Sequence, residues 1–476
     1  MALTKVTNSL LATPPTDFDD GGLQDDIALL GFRVASNGSL AKYNLVDQTV
    51  DDFQDTSGVD ASASTNDIRD SSGKYYSGSQ AGTPTGGTIT TYTGYTVHSF
   101  TSTGDTDFVV PSSANVDLLL VAGGGGGGSG NESGTSSGDG AGGAGGAGGF
   151  RALASTAVTA QTYTVTVGAG GARQTSGNTN GNQGGDSSAL GLTASGGGRG
   201  GTWGDAGAAG GSGGGAASGT NPGGAGNAGG YSPVEGYAGA TVAVADFGGT
   251  GGGGASEAGS PNTSGGSAGN RGGPGGDGAD NLYRTGVNVT YAGGGGGGSG
   301  NYGPGGASGG AGGGGSGGDF GGGAGDGTDG LGGGGGGGSY HDSYIWGGAG
   351  GDGIVVIRWA DGAFTSYNDM TLVSTTTTAQ AAPTKGDIVM TYTNGAGTTT
   401  LDTDLTAEIS ADGGSTWTAL ALSSEGSTGS HNIATSHDVT ISSTITAPYN
   451  MAYRIKTLNQ SVSKTTRIQA VSLGWS

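Results

Sequence analysis

The apolar residues of this chain are bunched rather than spread. Two runs, 116–121 (Val-Asp-Leu-Leu-Leu-Val) and 354–359 (Ile-Val-Val-Ile-Arg-Trp), stand at the edges of a long block in which side chains almost vanish. Upstream, 88–95, 97–101 and 108–111 are rich in Thr, Tyr and Val and read as strands leading into the 116–122 run. Inside the block 163–167 (Tyr-Thr-Val-Thr-Val) alternates as a strand does, and 241–245 is a weaker candidate. Downstream, 371–374, 388–393, 405–410, 417–422, 439–442, 452–457 and 466–473 are strand-length groups at the spacing of an antiparallel sandwich. Residues 1–80 are polar, with a short helix expected near 23–34 and too few apolar positions for a core of their own.

The block itself, 123–353, holds 96 of the 117 glycines. Glycine has the most backbone entropy to lose and no side chain to bury, so the block is either a flexible linker or a fold that exploits the missing Cβ. Its internal order favours a fold. Residues 122–131 and 292–301 are identical, Ala-Gly-Gly-Gly-Gly-Gly-Gly-Ser-Gly-Asn; 332–338 is a third unbroken run, and 141–149 repeats Ala-Gly-Gly with a strict period of three. Three residues per turn is the polyproline-II period, and that helix directs its N–H and C=O groups sideways, where neighbouring helices must satisfy them. The expectation is a bundle of polyglycine-II helices with a backbone core. Collagen is disfavoured by a total of 11 prolines and a broken triplet period.

The fold expected is therefore mainly β with a polyglycine-II sandwich. It divides into an attachment or assembly segment at 1–81, a β lead-in at 82–122, the glycine-rich domain with its closing strand at 123–366, and an antiparallel β-sandwich at 367–476.

Charge and composition narrow the function. With 16 Lys+Arg against 38 Asp+Glu the net charge is −22, and no basic cluster could neutralise phosphates, so nucleic acid is not expected as a partner. No cysteine means no disulfide framework and no thiolate metal site. The first eleven residues do not read as a signal peptide, and no 18-residue apolar stretch occurs.

Candidate chemistry is sparse. Residues 410–417 (Ser-Ala-Asp-Gly-Gly-Ser-Thr-Trp) match an Asp-box, but a single copy reads as a hairpin turn held by Asp412. Residues 275–283 match one calcium-binding nonapeptide of a β-roll, which one turn cannot complete. No cofactor, metal or catalytic set is expected, and His431 and His437 read as solvated loop positions. The large aromatics between glycine runs are the best recognition candidates, because glycine helices offer no side-chain chemistry: Trp203, Tyr231, Tyr237, Tyr340, His341, Tyr344 and Trp346. The alternative for the 340–346 group is that its rings plug the end of the bundle.

The residues 116–128, Phe150-Arg151, 165–171 (Val-Thr-Val-Gly-Ala-Gly-Gly), 291–298 and 347–359, in that order, resemble the glycine-rich virion proteins of tailed bacteriophages, marine ones especially. A second stretch, 404–475, is similar to a terminal β domain of phage tail-fibre proteins. The resemblance implies a non-enzymatic virion structural protein, a tail fibre or fibre-associated adhesin, on the particle surface. Its N-terminal region would bind other virion proteins or other copies of itself, and its distal loops a host-surface protein or glycan. It also leaves rivals: a self-assembling filament or capsid-decorating protein, a surface-polysaccharide depolymerase, and an ice-binding bundle.

Overall fold

A computed structural model describes residues 42–45, 47–130, 140–219, 221–243, 247–263, 271–300, 305–320, 322–340, 345–364, 366–441 and 445–476. The described residues are all β-strand, turn or glycine-rich segment, without an α-helix. The helix expected near 23–34 lies outside them. The chain forms two compact units, Gly82–Phe364 and Met1–Ala81 joined with Thr365–Ser476.

In the second of these, the expected sandwich forms. One sheet runs in the order Lys42–Leu45, Gln48–Asp51, Thr465–Trp475, Lys385–Ala396, His431–Thr440 and Ser423–Thr428; Thr371–Val373, Asn450–Thr457, Leu405–Ser410 and Thr418–Leu420 make the other. Between them Met370, Leu372, Ile388, Met390, Ile409, Tyr453, Ile455, Ile468 and Leu473 are buried. The described part of the 1–81 segment, from residue 42 onward, does not stand apart as expected. Gln48–Asp51 pairs with Thr465–Trp475, and Phe53, Val59 and Tyr76 are buried in the same core. The shortage of apolar residues in that segment is met within the chain, by lending three side chains to the sandwich. His431 and His437 lie on a strand, half-buried, and not in loops.

In the Gly82–Phe364 unit the two apolar runs become neighbours. Ala114–Val121 and Ile354–Ala360 pair antiparallel, with Val121 opposite Ile354 and Leu119 opposite Val356. They are the inner strands of a five-stranded sheet flanked by Phe150–Val158 and by Tyr95–Phe100, with Thr88–Tyr92 outermost. Both faces are covered, which is why the runs lack polar alternation. Leu118, Leu120, Val355 and Ile357 face a second sheet containing Gly104–Val110 and Gln161–Val167, whereas Leu119, Val121, Ile354 and Val356 face the glycine block through Ala147, Tyr291 and Ala292. Of the weaker candidate 241–245, residues 241–243 form no strand, and 244 and 245 lie outside the described residues.

The glycine block is a hydrogen-bonded bundle. In 122–130 successive N–H groups point in rotation to three partners: residues 122, 125 and 128 donate to the carbonyls of 149, 146 and 143; 123, 126 and 129 to those of 185, 182 and 179; 124, 127 and 130 to those of 351, 348 and 345. Its own carbonyls accept from 171, from 197 and 200, and from 335 and 338. This threefold rotation is the geometry of a polyglycine-II helix packed on all sides. Segments 141–149, 292–299 and 332–340 are enclosed in the same way, and all four are buried along their length.

The triplet in 141–149 has a steric cause. A Cβ at Gly142 or Gly145 would overlap the carbonyl oxygens of Gly128 or Gly125, and one at Gly143 or Gly146 those of Gly215 or Ser212. Ala141, Ala144 and Ala147 occupy the remaining row, fully buried, where a methyl group fits. None of Gly123–Gly130 has positive φ. Glycine is needed there for close approach, whereas Gly312 and Gly313, at φ 95° and 93°, serve a chain reversal.

Candidate functional site

The bundle has two ends. One abuts the five-stranded sheet. At the other, backbone bonds link Gly130 to Ile345 at 2.9 Å, Ala141 to Phe247 at 2.8 Å, Tyr340 to Ser299 at 3.1 Å and Ser299 to Gly318 at 3.0 Å, which sets these residues at one distal level. The serine after each long glycine run lies there. Ser129, Ser299 and Ser339 are fully buried. The hydroxyl of Ser129 donates to the Thr179 carbonyl at 3.1 Å and accepts from its N–H at 2.8 Å, and Ser299 Oγ donates to Gly318 O at 3.1 Å. These serines end the purely backbone region by supplying side-chain partners. The signal for them was in the sequence, since the same residue follows three separate runs, but it carries no meaning until the runs are seen to stop at one level.

The aromatic candidates do not form one site. Trp203 lies at the distal level, where Thr202 Oγ1 donates to the Ser129 carbonyl at 3.1 Å; it is half-buried, its ring beside Gly140. Tyr340 is also distal but only 6% exposed, which matches the plug alternative for that ring. Trp346 is distal and 43% exposed. His341 and Tyr344 lie outside the described residues. Two exposed rings that the sequence reading passed over, Phe247 and Phe320, sit at the same level; a lone Phe beside glycine gives no sign of which end it occupies.

Tyr231 and Tyr237 belong to the opposite end. The Arg151 guanidinium, on a strand of the sheet, lies 3.8 Å from the centre of the Tyr231 ring. The loop between the two tyrosines is pinned by Glu235, fully buried, whose carboxylate accepts from Ser195 N at 2.8 Å and Gly229 N at 3.0 Å while its carbonyl accepts from Phe150 N at 2.8 Å. Tyr237 is itself part of a glycine segment, its N–H donating to Gly254 O at 3.0 Å and its ring 42% exposed.

The remaining motifs are occupied locally. Asp412 accepts from Thr416 N at 2.9 Å and Thr416 Oγ1 at 2.6 Å, with Gly413 and Gly414 at φ 74° and 92°, forming the turn between Leu405–Ser410 and Thr418–Leu420. In the calcium-like nonapeptide, Asp277 accepts from Ala311 N at 2.8 Å and Asp280 from Thr290 Oγ1 at 2.6 Å. Among the described residues no group of three or more His, Asp or Glu is placed to hold a metal ion. His98 is fully buried, its ring 4.7 Å from that of Trp359 and its Nδ1 2.6 Å from Gly86 O; burial pushes its pKa below the ordinary 6.5.

The enclosed glycine helices and three strands of the sheet that seals them, Ala114–Val121, Phe150–Val158 and Ile354–Ala360, lie within residues 100–360, which match a family described as a glycine-rich domain. The chain belongs to this glycine-rich domain family. No curated protein matches the chain. The family match begins at the last residue of the Tyr95–Phe100 strand and ends with Ile354–Ala360, so it takes in the inner strands of the sheet as well as the glycine runs and leaves out Thr88–Tyr92.

Proposed function

We propose that this glycine-rich domain protein is a non-enzymatic structural component of a bacteriophage virion, a tail fibre or fibre-associated adhesin carried on the particle surface. The observation that carries the reading is the distal end of the bundle, where Trp346, Phe247 and Phe320 are exposed on a frame of glycine backbone. Large aromatic rings held by a rigid scaffold are enriched at recognition surfaces, with Trp foremost in binding energy, and loops on such a scaffold can vary without disturbing its core. A host-surface protein or glycan is the partner proposed for this end. Other virion proteins, or further copies of the chain, are proposed for the N-terminal region. A −22 chain does not adhere to an anionic cell surface by general electrostatics, so contact rests on local stacking and hydrogen bonding.

Competition of the purified protein with phage adsorption tests the proposal. The parent should block adsorption, and a folded Trp203→Ala, Trp346→Ala variant should not; equal blocking by both would overturn the assignment of the distal end. A second reading, a self-assembling filament or capsid-decorating subunit without receptor binding, is favoured by one feature: Thr88–Tyr92 is the outermost strand of its sheet, paired among the described strands with Tyr95–Phe100 alone, with Ile89 52% exposed, an edge suited to adding strands from another copy. Concentration-dependent assembly visible by electron microscopy, lost in Ile89→Lys, would favour it.

A further inference from the structure

On the bundle-facing side of the five-stranded sheet, alternate residues of Ile354–Ala360 run Ile354, Val356, Arg358. The first two close onto the glycine block, and the third, only 7% exposed, is charged where the pattern calls for another aliphatic residue. It lies opposite Asp117 in the sheet and its Nε donates to that carboxylate at 2.9 Å. Nη1 donates to the Tyr92 hydroxyl, and the rings of Tyr95 and Tyr283 flank the guanidinium at 4.3 and 4.1 Å. A buried ion pair is seldom more stable than packed aliphatics of the same volume, so this arrangement calls for a reason other than stability.

The reason offered by the geometry is a cavity of about 430 Å³ beside Arg358, lined also by Tyr92, Tyr95, Leu282, Thr285 and Val287. That is the size of an ordinary small-ligand site. The turn of the Ala279–Asn281 and Val289–Tyr291 hairpin forms one wall, and its approach to the opposite wall is set by Gly286, at φ 79°, where a Cβ would stand 2.9 Å from the Tyr92 ring. Leu282 and Val287 are 41% and 68% exposed at its rim.

We propose that this cavity binds a neutral saccharide. Phenol rings and aliphatic rims suit the C–H face of a pyranose, and the guanidinium N–H groups not used by Asp117 and Tyr92 suit its hydroxyl oxygens. Asp117 already balances the Arg358 charge and the chain carries −22, so an acidic sugar would bring a further negative charge to an open site whose cation is already paired. Among the described residues no acidic side chain lines the cavity. The site is at the sheet end of the bundle, away from the distal rings, and is independent of the virion reading.

Calorimetric titration of the full chain with maltotriose, cellotriose and, as the acidic counterpart, trigalacturonate tests it. At least one neutral trisaccharide should bind, with trigalacturonate weaker, and Tyr95→Ala should weaken the neutral ligand by about tenfold or more, the loss of one good contact. Val287→Arg, at an exposed rim position, keeps the test valid if Tyr95→Ala misfolds: it should obstruct the mouth and weaken binding similarly with an unchanged melting temperature. Absence of binding by both neutral sugars, tighter binding of trigalacturonate, or neutral-sugar affinity unaltered by Val287→Arg would overturn the proposal. Adsorption blocking is read separately, since Val287→Arg leaves the distal end as it is.

Discussion

The glycine bundle and the C-terminal sandwich solve the same problem with opposite materials. In the sandwich, Ile388, Met390, Ile409, Tyr453 and Leu473 fill the space between two sheets, and the strands pair edge to edge within their own sheets. In the bundle, backbone groups pair in three directions around each inner helix and there is nothing left to fill. A side-chain core tolerates exchange of one aliphatic group for another of similar volume. A backbone core tolerates no added atom at two of every three positions, while demanding almost no chemical variety.

The sharpest way to break this contrast is to add one side chain to the bundle. Val at Gly125 or Gly295 would drive a Cβ into the carbonyl oxygen of Gly198 or Gly335. Either variant is expected to lose cooperative folding of the Gly82–Phe364 unit, read as loss of hydrogen-exchange protection along 122–130 and 292–299, with the sandwich transition retained. Protection equal to the parent in both would mean the runs are not enclosed.

Removing a side chain from the sandwich should do less. Ile409→Ala, at a fully buried position, is expected to cost roughly 2–5 kcal/mol, read as a lower urea midpoint of that unit alone.

Acid should separate the two units in pH. His98 has a folded pKa depressed by burial, so its contribution is complete above the ordinary 6.5 and is lost as pH falls below that value, when the unfolded chain takes up the proton. In the sandwich, the Lys464 ammonium holds the buried Asp404 carboxyl at about 2, against an ordinary 3.8. Its contribution persists above the ordinary value and is lost as pH falls through about 2. Melting followed from pH 7.5 to 2 should show the glycine unit weakening first, and His98→Gln should remove that early step.

The smallest effect is expected where the materials meet. Ser129→Ala deletes the paired bonds with Thr179 and should cost on the order of 1–2 kcal/mol in the glycine unit. A loss as large as that of Gly125→Val would mean the serines and not the glycine rows set the stability of the bundle.

Much of the bundle was legible and its wiring was not. The runs at 122–131, 292–301 and 332–338 and the Ala-Gly-Gly triplets mark the four inner helices, because uninterrupted glycine with a period of three has few folded outlets. Which carbonyl meets which N–H could not be read, since one glycine looks like the next and register is carried by the flanking strands. The same blindness split the candidate site. Each chain reversal exchanges one end of the bundle for the other, so Tyr231 and Trp203, 28 positions apart, occupy opposite ends, while Tyr340 and Phe247 share one. In the sandwich, strand positions followed from composition, but the pairing of Gln48–Asp51 with Thr465–Trp475 spans most of the chain and has no local sign. Arg358 was hidden for another reason: inside Ile-Val-Val-Ile-Arg-Trp it reads as the end of a strand, and only Asp117 across the sheet gives it a role.

The pairing of Val121 with Ile354 has a consequence for how such a protein can change over generations. The chain leaves the sheet at Val121 and ends its last return beside that point at Ile354, having added only Phe150–Val158 to the same sheet in between, so the bundle is enclosed in sequence by a single pair of neighbouring strands. Its length can therefore change without disturbing the frame that carries it, under one arithmetic condition. An added or deleted passage must come with a returning one, because an odd number of traverses would strand the closing segment at the far end. Growth by duplicated out-and-back pairs would leave identical runs in the chain, and 122–131 and 292–301 are identical over ten residues.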